Sequence, residues 1–121
     1  MPLGRHVILE CHGCDEEQLK DQSLLQRVME DGAVYARAAV LHSYFHKFDQ
    51  GEGVTGVVAL AESHISVHTW PEHHYMAVDI FMCGDCNPYD TFEYIINNMV
   101  VGEYSIDCIN RGTDYVNLHN V

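Results

Sequence analysis

Six segments of the chain carry the alternation or the short apolar runs that are typical of β-strands. They cover residues 5–10, 38–48, 54–61, 65–70, 75–82 and 103–109. The 54–61 segment is mostly apolar, so we expect both of its faces to be buried. Glycine, proline and acidic residues fill the intervals, as in the loop 49–53 and the turn 71–74.

Two further segments place apolar residues at helical spacing. The first begins after Asp15, a favourable N-cap, and Gln18 three positions later would complete a capping box. Its apolar positions 24, 25, 28 and 29 predict one helix that continues to residue 35 or 37. The second helix is predicted to begin with Asn87 as its N-cap and Pro88 in its first turn, and to end at Gly102.

The resulting order is β-α-β-β-β-β-α-β within a single domain of residues 1–121. Strands joined by short loops predict a mostly antiparallel sheet with the two helices packed on one face, which is an α+β two-layer sandwich. The other face of the sheet then needs a cover. A second copy of the chain is an economical one, so we expect a homodimer.

The composition argues against nucleic acid and membrane partners. Eighteen acidic and six basic residues give a formal net charge of −12, whereas phosphate groups and anionic lipids attract clustered Lys and Arg. The apolar run at residues 57–61 is far shorter than the ~20 residues of a spanning helix. The N-terminus shows no basic region followed by an apolar stretch, so we expect a cytoplasmic protein with reduced thiols.

Five cysteines leave a zinc-binding or regulatory module open as an alternative. Cys11-x-x-Cys14 and Cys83-x-x-Cys86 are two pairs whose four thiolates could close a tetrahedral zinc site. Residues 15–82 separate the pairs, so the fold would have to bring them together. Independent thiols are the simpler interpretation. Cys108 lies in an alternating apolar segment, where a free cysteine is often a small buried hydrophobe.

The densest group of reactive residue types is the segment 61–72. Its β-branched residues alternate with polar ones and predict a strand, on which His64 and His68 would lie about 13 Å apart at roughly 3.3 Å per residue. They cannot bind one ion together, so we predict no metal site at this pair. Ser63 also lacks the Gly-x-Ser-x-Gly turn on which serine hydrolases usually present their nucleophile. Spacing alone therefore makes Ser63 an ordinary polar residue.

The same segment closely resembles the processing site of the short, prokaryotic-type S-adenosylmethionine decarboxylases. The run ESHISVHTWPE at residues 62–72 carries the resemblance. It extends over about residues 3–115, through shorter matches at residues 3–6, 45–48, 53–58 and 77–84. The central run is long and unusual, so it outweighs the generic interpretation of Ser63.

The resemblance implies that the chain cuts itself and carries a pyruvoyl group as its cofactor. Ser63 Oγ would attack the carbonyl of Glu62 and convert the peptide bond into an ester. β-Elimination would then release residues 1–62 as the β chain and leave dehydroalanine at position 63. Loss of ammonia would turn it into the pyruvoyl group of the α chain, residues 63–121. Such a reaction needs a strained peptide and a stabilised oxyanion.

Three side chains have roles in this chemistry by the same resemblance. His68 takes the Cα proton during the elimination, and the hydroxyl of Thr55 assists processing by hydrogen bonding. The substrate amine forms a Schiff base with the pyruvoyl carbonyl, and Cys83 returns a proton to the substrate carbon after CO2 has left. The implied reaction converts S-adenosylmethionine into its decarboxylated form, the aminopropyl donor of polyamine and spermidine biosynthesis.

Three more residues are implied to bind this small-molecule substrate. Glu72 would accept hydrogen bonds from the ribose hydroxyls. Phe48 or Trp70 would stack on the adenine and attract the sulfonium charge. The expected homodimer would consist of processed protomers.

The loop 49–52 departs from the family pattern. It is longer than usual and carries Asp49 and Glu52. Acids beside a substrate pocket could pair with a cationic side chain. A pyruvoyl-dependent arginine or ornithine decarboxylase of the same family therefore stays open as an alternative.

Overall fold

Six antiparallel strands form one sheet in the computed structural model, which describes residues 2–112. They are β1 (Gly4–His12), β2 (Val40–Lys47), β3 (Val54–Leu60), β4 (Ser63–Trp70), β5 (Tyr75–Cys83) and β6 (Glu103–Arg111). Their order is β2-β3-β4-β5-β1-β6, and every neighbouring pair is antiparallel. The end of the predicted domain 1–121 lies outside the described residues.

Residues 2–112 form three α-helices, rather than the two predicted: α1 (Glu16–Leu19), α2 (Gln22–Tyr35) and α3 (Pro88–Asn98). One continuous helix after Asp15 was a wrong prediction, because Asp21 begins α2 by accepting a backbone N–H of its first turn at 3.0 Å. Asp15 does cap α1, but Gln18 completes no capping box. Its side chain instead accepts the N–H of Val100. Val100 lies beyond the end of α3 at Asn98, so that helix does not extend to Gly102 as predicted.

The core lies between one face of the sheet and the helices. Along the strands, fully buried side chains such as Leu9, Ile65 and Ile80 alternate with more exposed ones. The helices contribute the fully buried Leu25, Met29 and Ile95. β3 follows this alternation, so the expectation that both of its faces are buried was wrong: Val58 is fully buried, whereas Val57 is 41% exposed. The α+β sandwich with helices on one face is confirmed. We call the helix-free face the open face.

The expectation that Cys108 is buried was also wrong, because this residue lies on the edge strand β6. Cys108 is exposed, because nearly all of β6 lies at the margin of the sheet beyond the cover of the helices.

None of the helices within residues 2–112 has the length and apolar composition needed to cross a membrane. The cytoplasmic location stays a prediction from the sequence.

Replacing Leu25 with alanine should lower the free energy of unfolding by about 2–5 kcal/mol, because the fully buried side chain would leave a cavity. Leu24, its partly buried neighbour on α2, is the matched control, and Leu24→Ala should cost clearly less. Urea unfolding followed by circular dichroism measures both losses. Equal losses would contradict the placement of Leu25 in the core.

Candidate active site

A two-residue turn joins β3 to β4 and contains Glu62, the residue before the predicted cleavage position. Leu60 and Ser63 pair across this turn. Glu62 has a φ of 61°, in the left-handed region that residues with a side chain seldom occupy. Local backbone strain of this kind is concentrated at functional sites. The peptide between Glu62 and Ser63 is therefore a candidate for reaction on conformational grounds.

Cys83, at the end of β5, contacts both residues of that peptide. Its backbone N–H donates to Ser63 Oγ at 3.2 Å, and its Sγ donates to the carbonyl oxygen of Glu62 at 3.0 Å. The antiparallel pairing of β4 with β5 brings the cysteine to the turn. We call Glu62, Ser63 and Cys83 the cleavage cluster.

A second group of residues lies at the other end of β4, on the open face. Thr55 and His68 are partners in the β3–β4 ladder, and Thr55 Oγ1 forms a hydrogen bond of 3.1 Å with His68 Nδ1. These two residues line a cleft of about 180 Å³ together with Phe48, Trp70 and Glu72. We call the five residues the cleft group. The structure thus brings together five of the residues that the sequence predicted for the site.

The buried hydroxyl of Thr69 holds the elements around this cleft. It accepts the N–H of Val54 at 2.9 Å and donates to the carbonyl oxygen of Leu19 at 2.8 Å. Gly53 approaches so closely that a Cβ there would lie 2.6 Å from the Thr69 carbonyl oxygen. The Phe48 N–H donates to the Gly53 carbonyl at 2.9 Å. The loop that carries Phe48 is therefore held against β4.

Aromatic stacking positions Trp70 on the open face. Its indole stacks on Tyr75 with ring centroids 5.3 Å apart, and His12 stacks on Tyr75 at 5.1 Å. The Tyr75 hydroxyl donates to Glu10 at 2.7 Å. Burial, and then this hydrogen bond, raise the pKa of Tyr75 to about 12. Tyr75 is therefore a neutral, fixed platform for the indole.

The cleavage cluster and the cleft group do not meet within one chain. Ser63 and His68 are five positions apart on β4, roughly 16 Å at 3.3 Å per residue, and the odd spacing sends their side chains to opposite faces. Among residues 2–112, the hydrogen-bond partner of Ser63 Oγ is the Cys83 N–H rather than an imidazole or a carboxylate. Residues 2–112 of one chain therefore do not bring His68 to Ser63, the position of its implied role.

A carboxylate that the sequence pattern did not single out organises the open face beside the cleavage cluster. Asp79 on β5 accepts hydrogen bonds from His6 Nε2 at 2.6 Å, from His64 Nε2 at 2.9 Å and from the hydroxyl of Ser66. Arg111 Nη1 donates to His6 Nδ1 at 3.1 Å. We call these five residues the Asp79 network. Its one signal in the sequence was a lone acid within an otherwise apolar strand.

The protonation states within this network follow from its hydrogen bonds. Partial burial raises the pKa of the Asp79 carboxyl, but the hydrogen bonds from Ser66, His6 and His64 outweigh it and leave the pKa below its ordinary value. Arginine can only donate, so these contacts fit the His6 tautomer that accepts at Nδ1 and donates at Nε2. In that tautomer Nε2 offers no lone pair to a metal, although the three potential ligand atoms of His6, His64 and Asp79 lie within 4.8 Å of one another.

The strand register excludes the four-cysteine zinc site. Cys83 pairs with Gly4 at one end of β1, whereas Cys11 lies seven residues farther along that strand, about 23 Å away at roughly 3.3 Å per residue. Burial raises the pKa of Cys11 to about 12 and that of Cys14 to about 11. Both are therefore neutral thiols at physiological pH.

Glu52 of the acidic loop is paired with two lysines of its own chain. Glu52 lies 3.4 Å from Lys20 Nζ and 3.6 Å from Lys47 Nζ. The hydrogen bond from Lys20 and the charges of both lysines lower the pKa of Glu52. The residues that line the cleft include neither Asp49 nor Glu52. The loop therefore does not favour an arginine or ornithine substrate.

The chain is similar to several known proteins. The profile of the S-adenosylmethionine decarboxylase family matches residues 5–112. The S-adenosylmethionine decarboxylase proenzyme of Clostridium tetani is 43% identical over 111 residues, which cover 91% of this chain and 87% of that protein. The proenzyme of Caldicellulosiruptor saccharolyticus is 41% identical over 111 residues, with coverages of 91% and 89%. The crystal structure of the adenosylmethionine decarboxylase from Aquifex aeolicus has a TM-score of 0.83 and 32% identity, and the match covers 92% of each chain.

Alkylation of the folded protein with iodoacetamide should separate the cysteines by burial and by thiol pKa. Cys108 is exposed and should react within minutes at mildly alkaline pH, whereas Cys11 and Cys14 should stay unmodified because they are buried and protonated. Peptide mass spectrometry identifies the modified sites, and the same reaction in denaturing urea is the control in which all thiols react. Rapid labelling of Cys11 in the folded protein would contradict its burial.

Proposed function

Because the chain belongs to the S-adenosylmethionine decarboxylase family, we propose that it is a self-processing enzyme that converts S-adenosylmethionine into its decarboxylated form and CO2. Such an enzyme is a carboxy-lyase, and its product is an aminopropyl donor for polyamine synthesis. The reactive group is a pyruvoyl group made from Ser63. The observation that carries this proposal is the pair of hydrogen bonds from Cys83 to Ser63 Oγ and to the Glu62 carbonyl.

The cleavage cluster has the parts that the first step of self-cleavage requires. Ser63 Oγ attacks the carbonyl carbon of Glu62, so negative charge develops on the Glu62 carbonyl oxygen. Cys83 Sγ lies 3.0 Å from that oxygen and donates to it, as stabilisation of an oxyanion requires. The positive φ of Glu62 raises the energy of the starting peptide. Collapse of the tetrahedral species breaks the amide bond and leaves an ester on Ser63 Oγ.

The second step needs a base at the Cα of Ser63. Loss of the Cα proton and of the Glu62 carboxylate produces dehydroalanine, and addition of water with loss of ammonia completes the pyruvoyl group. The chain thereby divides into residues 1–62 and 63–121. A pyruvoyl carbonyl supplies the electron withdrawal that loosens the bond between the substrate carbon and its carboxylate. Cys83 contacts position 63 and so lies where it can return a proton to that carbon.

We assign the base to a second copy of the chain. The cleavage cluster lies at one end of the β4–β5 pair and the cleft group, with His68, at the other end. Two open faces packed about a two-fold axis, with their β4 strands running in opposite directions, would set Cys83 and the backbone of Ser63 in each copy against the cleft group of the other. The proton to be removed is on the Ser63 Cα, so the base needs access to the backbone and not to the Ser63 side chain. Because a two-fold interface is self-complementary, one such contact generates two identical composite sites.

The open face supports this assembly by its composition and its size. Tyr44, Val57 and Trp70 are 60%, 41% and 40% exposed there, and aromatic residues are enriched at the cores of protein interfaces. Six strands about 4.8 Å apart and roughly 25 Å long offer an area on the order of the ~800 Å² per partner that a stable interface buries. A second copy of the chain would cover both the apolar side chains and the composite site.

The cleft group would bind the nucleoside part of the substrate. Glu72 is exposed on the short 3-10 helix Pro71–His73 that follows β4, where its carboxylate can accept from both ribose hydroxyls. Phe48 and Trp70 line the same cleft and offer aromatic surfaces for the adenine and for the sulfonium charge. Thr55 and His68 lie between these residues and the position of the incoming cleavage cluster. One composite site thus combines substrate binding with the reacting bond.

Denaturing mass spectrometry of the purified protein should find pieces of 62 and 59 residues, corresponding to residues 1–62 and 63–121, the second without a free amino group. Borohydride should add two hydrogens to the smaller piece, because it reduces a pyruvoyl carbonyl. The processed protein should release CO2 from carboxyl-labelled S-adenosylmethionine and none from arginine or ornithine.

Ser63→Ala should remain one chain and release no CO2. Ser23→Ala, at an exposed serine on α2, is the matched control and should be processed like the wild type. Cleavage of the Ser63→Ala protein would mean that Ser63 is not the nucleophile. Release of CO2 from arginine or ornithine by the wild type would overturn the assigned substrate while leaving the processing chemistry in place.

Co-expression of two inactive variants should restore cleavage if the site is shared. A Ser63→Ala chain retains His68, and a His68→Ala chain retains Ser63, so a mixed dimer contains one complete composite site. We expect neither variant to be cut alone. In the mixture His68→Ala chains should be cut, up to about half of them for random pairing at equal expression in a two-fold dimer.

Tags of different mass identify which chain is cut in this experiment. Cleavage of His68→Ala expressed alone would contradict the role of His68. An uncut mixture in which size-exclusion chromatography demonstrates mixed dimers would contradict the sharing of the site between two copies.

A further inference from the structure

We propose that Asp79 is a positioning residue for both reactions at position 63, and that it acts through His64. This inference rests on the proposed function and extends it, because neither residue has a part in the chemistry described so far. Asp79 lies four positions before Cys83 on β5, about 13 Å away at roughly 3.3 Å per residue. It therefore lies too far away to touch the reacting atoms, whereas His64 directly follows Ser63 in the chain.

The Asp79 network holds the side chain of His64 from several strands at once. Asp79 Oδ2 accepts from His64 on β4 and from His6 on β1, at 2.9 and 2.6 Å. Arg111 on β6 donates to the far nitrogen of His6 and lies over the ring of Phe81, 5.7 Å from its centroid. The His64 and Phe81 rings are 5.8 Å apart, and the two residues pair in the sheet. The direction of His64 is thus set by contacts with β1 and β5 as well as by its own strand.

Before cleavage, this anchor restrains one side of the scissile peptide. β4 begins at Ser63, and the two-residue turn before it is the remaining connection to β3. Attack requires Ser63 Oγ, the Glu62 carbonyl and the Cys83 thiol to stay aligned. A misplacement of about 1 Å at a reacting centre can cost on the order of 100-fold in rate. A loosened His64 would transmit such a displacement directly to Ser63.

After cleavage, the position of residue 63 depends even more strongly on His64. The bond to Glu62 has gone, so residue 63 is a chain end and is attached to the protein through its amide with His64. The side chain of His64, held by Asp79, then sets the direction in which the pyruvoyl carbonyl faces the composite site. The same carboxylate therefore serves the processing reaction first and substrate turnover afterwards.

Asp79→Asn tests this role, because an amide has one acceptor oxygen and cannot accept from all three donors of the network. We expect self-cleavage to slow by roughly 10- to 100-fold. In the fraction that is processed, kcat should fall while KM for S-adenosylmethionine stays close to the wild-type value, because Asp79 does not line the cleft. Asp31→Asn is the matched control: Asp31 is exposed on α2, on the side of the sheet opposite the open face, and its replacement should leave both rates unchanged.

Two replacements of His64 distinguish anchoring from acid–base chemistry. His64→Gln places an amide donor at about the reach of Nε2, so it can still donate to Asp79 and should cleave at least several-fold faster than His64→Leu. Equal cleavage rates for the two variants would overturn the inference. Neither glutamine nor leucine can transfer protons as an imidazole does, so equal rates would indicate that His64 acts in acid–base chemistry and not as an anchor.

Assembly and folding are monitored by size-exclusion chromatography and by thermal melting of each variant. If Asp79→Asn fails to fold or to dimerise, the two His64 variants decide, since they retain Asp79. An Asp79→Asn protein that cleaves and turns over like the wild type overturns the inference alone, whereas a wild-type chain that stays whole overturns the proposed function. Loss of wild-type cleavage on chelation with EDTA would also overturn the inference, because the network would then be a metal site.

Discussion

The antiparallel register of β4 between β3 and β5 is the constraint on which the candidate site depends. It sets Thr55 opposite His68 and brings Cys83 to the turn before Ser63. A slip of one residue would send every side chain of β4 to the other face of the sheet. Such a slip is resisted by the fully buried residues of the strand, such as Ile65, which it would expose. The alternation that stabilises the fold thus also places the reactive groups.

The packing of the helices on one face has a functional consequence in the proposed arrangement. The open face keeps the cleft group accessible to a second copy of the chain, and within residues 2–112 the partner of the Ser63 hydroxyl is a backbone N–H rather than a base. Self-cleavage then waits for assembly, so the reactive carbonyl group would form where a partner already covers it. A tight turn with one strained residue, Glu62, suffices to prepare the bond until that moment.

Charge acts locally in this protein, in spite of the net value of −12. Glu52 is paired with Lys20 and Lys47 at the surface, where ion pairs contribute little to stability. Asp79 is instead surrounded by hydrogen-bond donors on the open face, and its ionised state orders the histidines around it. The acidic balance therefore argues against anionic partners without indicating a cationic substrate.

The sequence by itself determined the layered α+β fold and the family, because strand alternation, helical spacing and the run at residues 62–72 are local signals. It missed the helix cap at Asp21, which follows the same local rule as the predicted cap at Asp15 and begins a second helix. The sequence indicated which residues belong to the candidate site, but not how they are arranged in space. Tertiary structure alone decided that Cys83 reaches the Glu62 carbonyl while His68 lies at the far end of the strand.

The Asp79 network is a second feature that the sequence alone could not predict. Its members come from four strands that are distant in the chain, and their meeting depends on sheet order and register. A local pattern carries no information on which strands become neighbours. The residue types of the candidate site could therefore be named from the sequence, whereas the distances between them follow from how the strands pair.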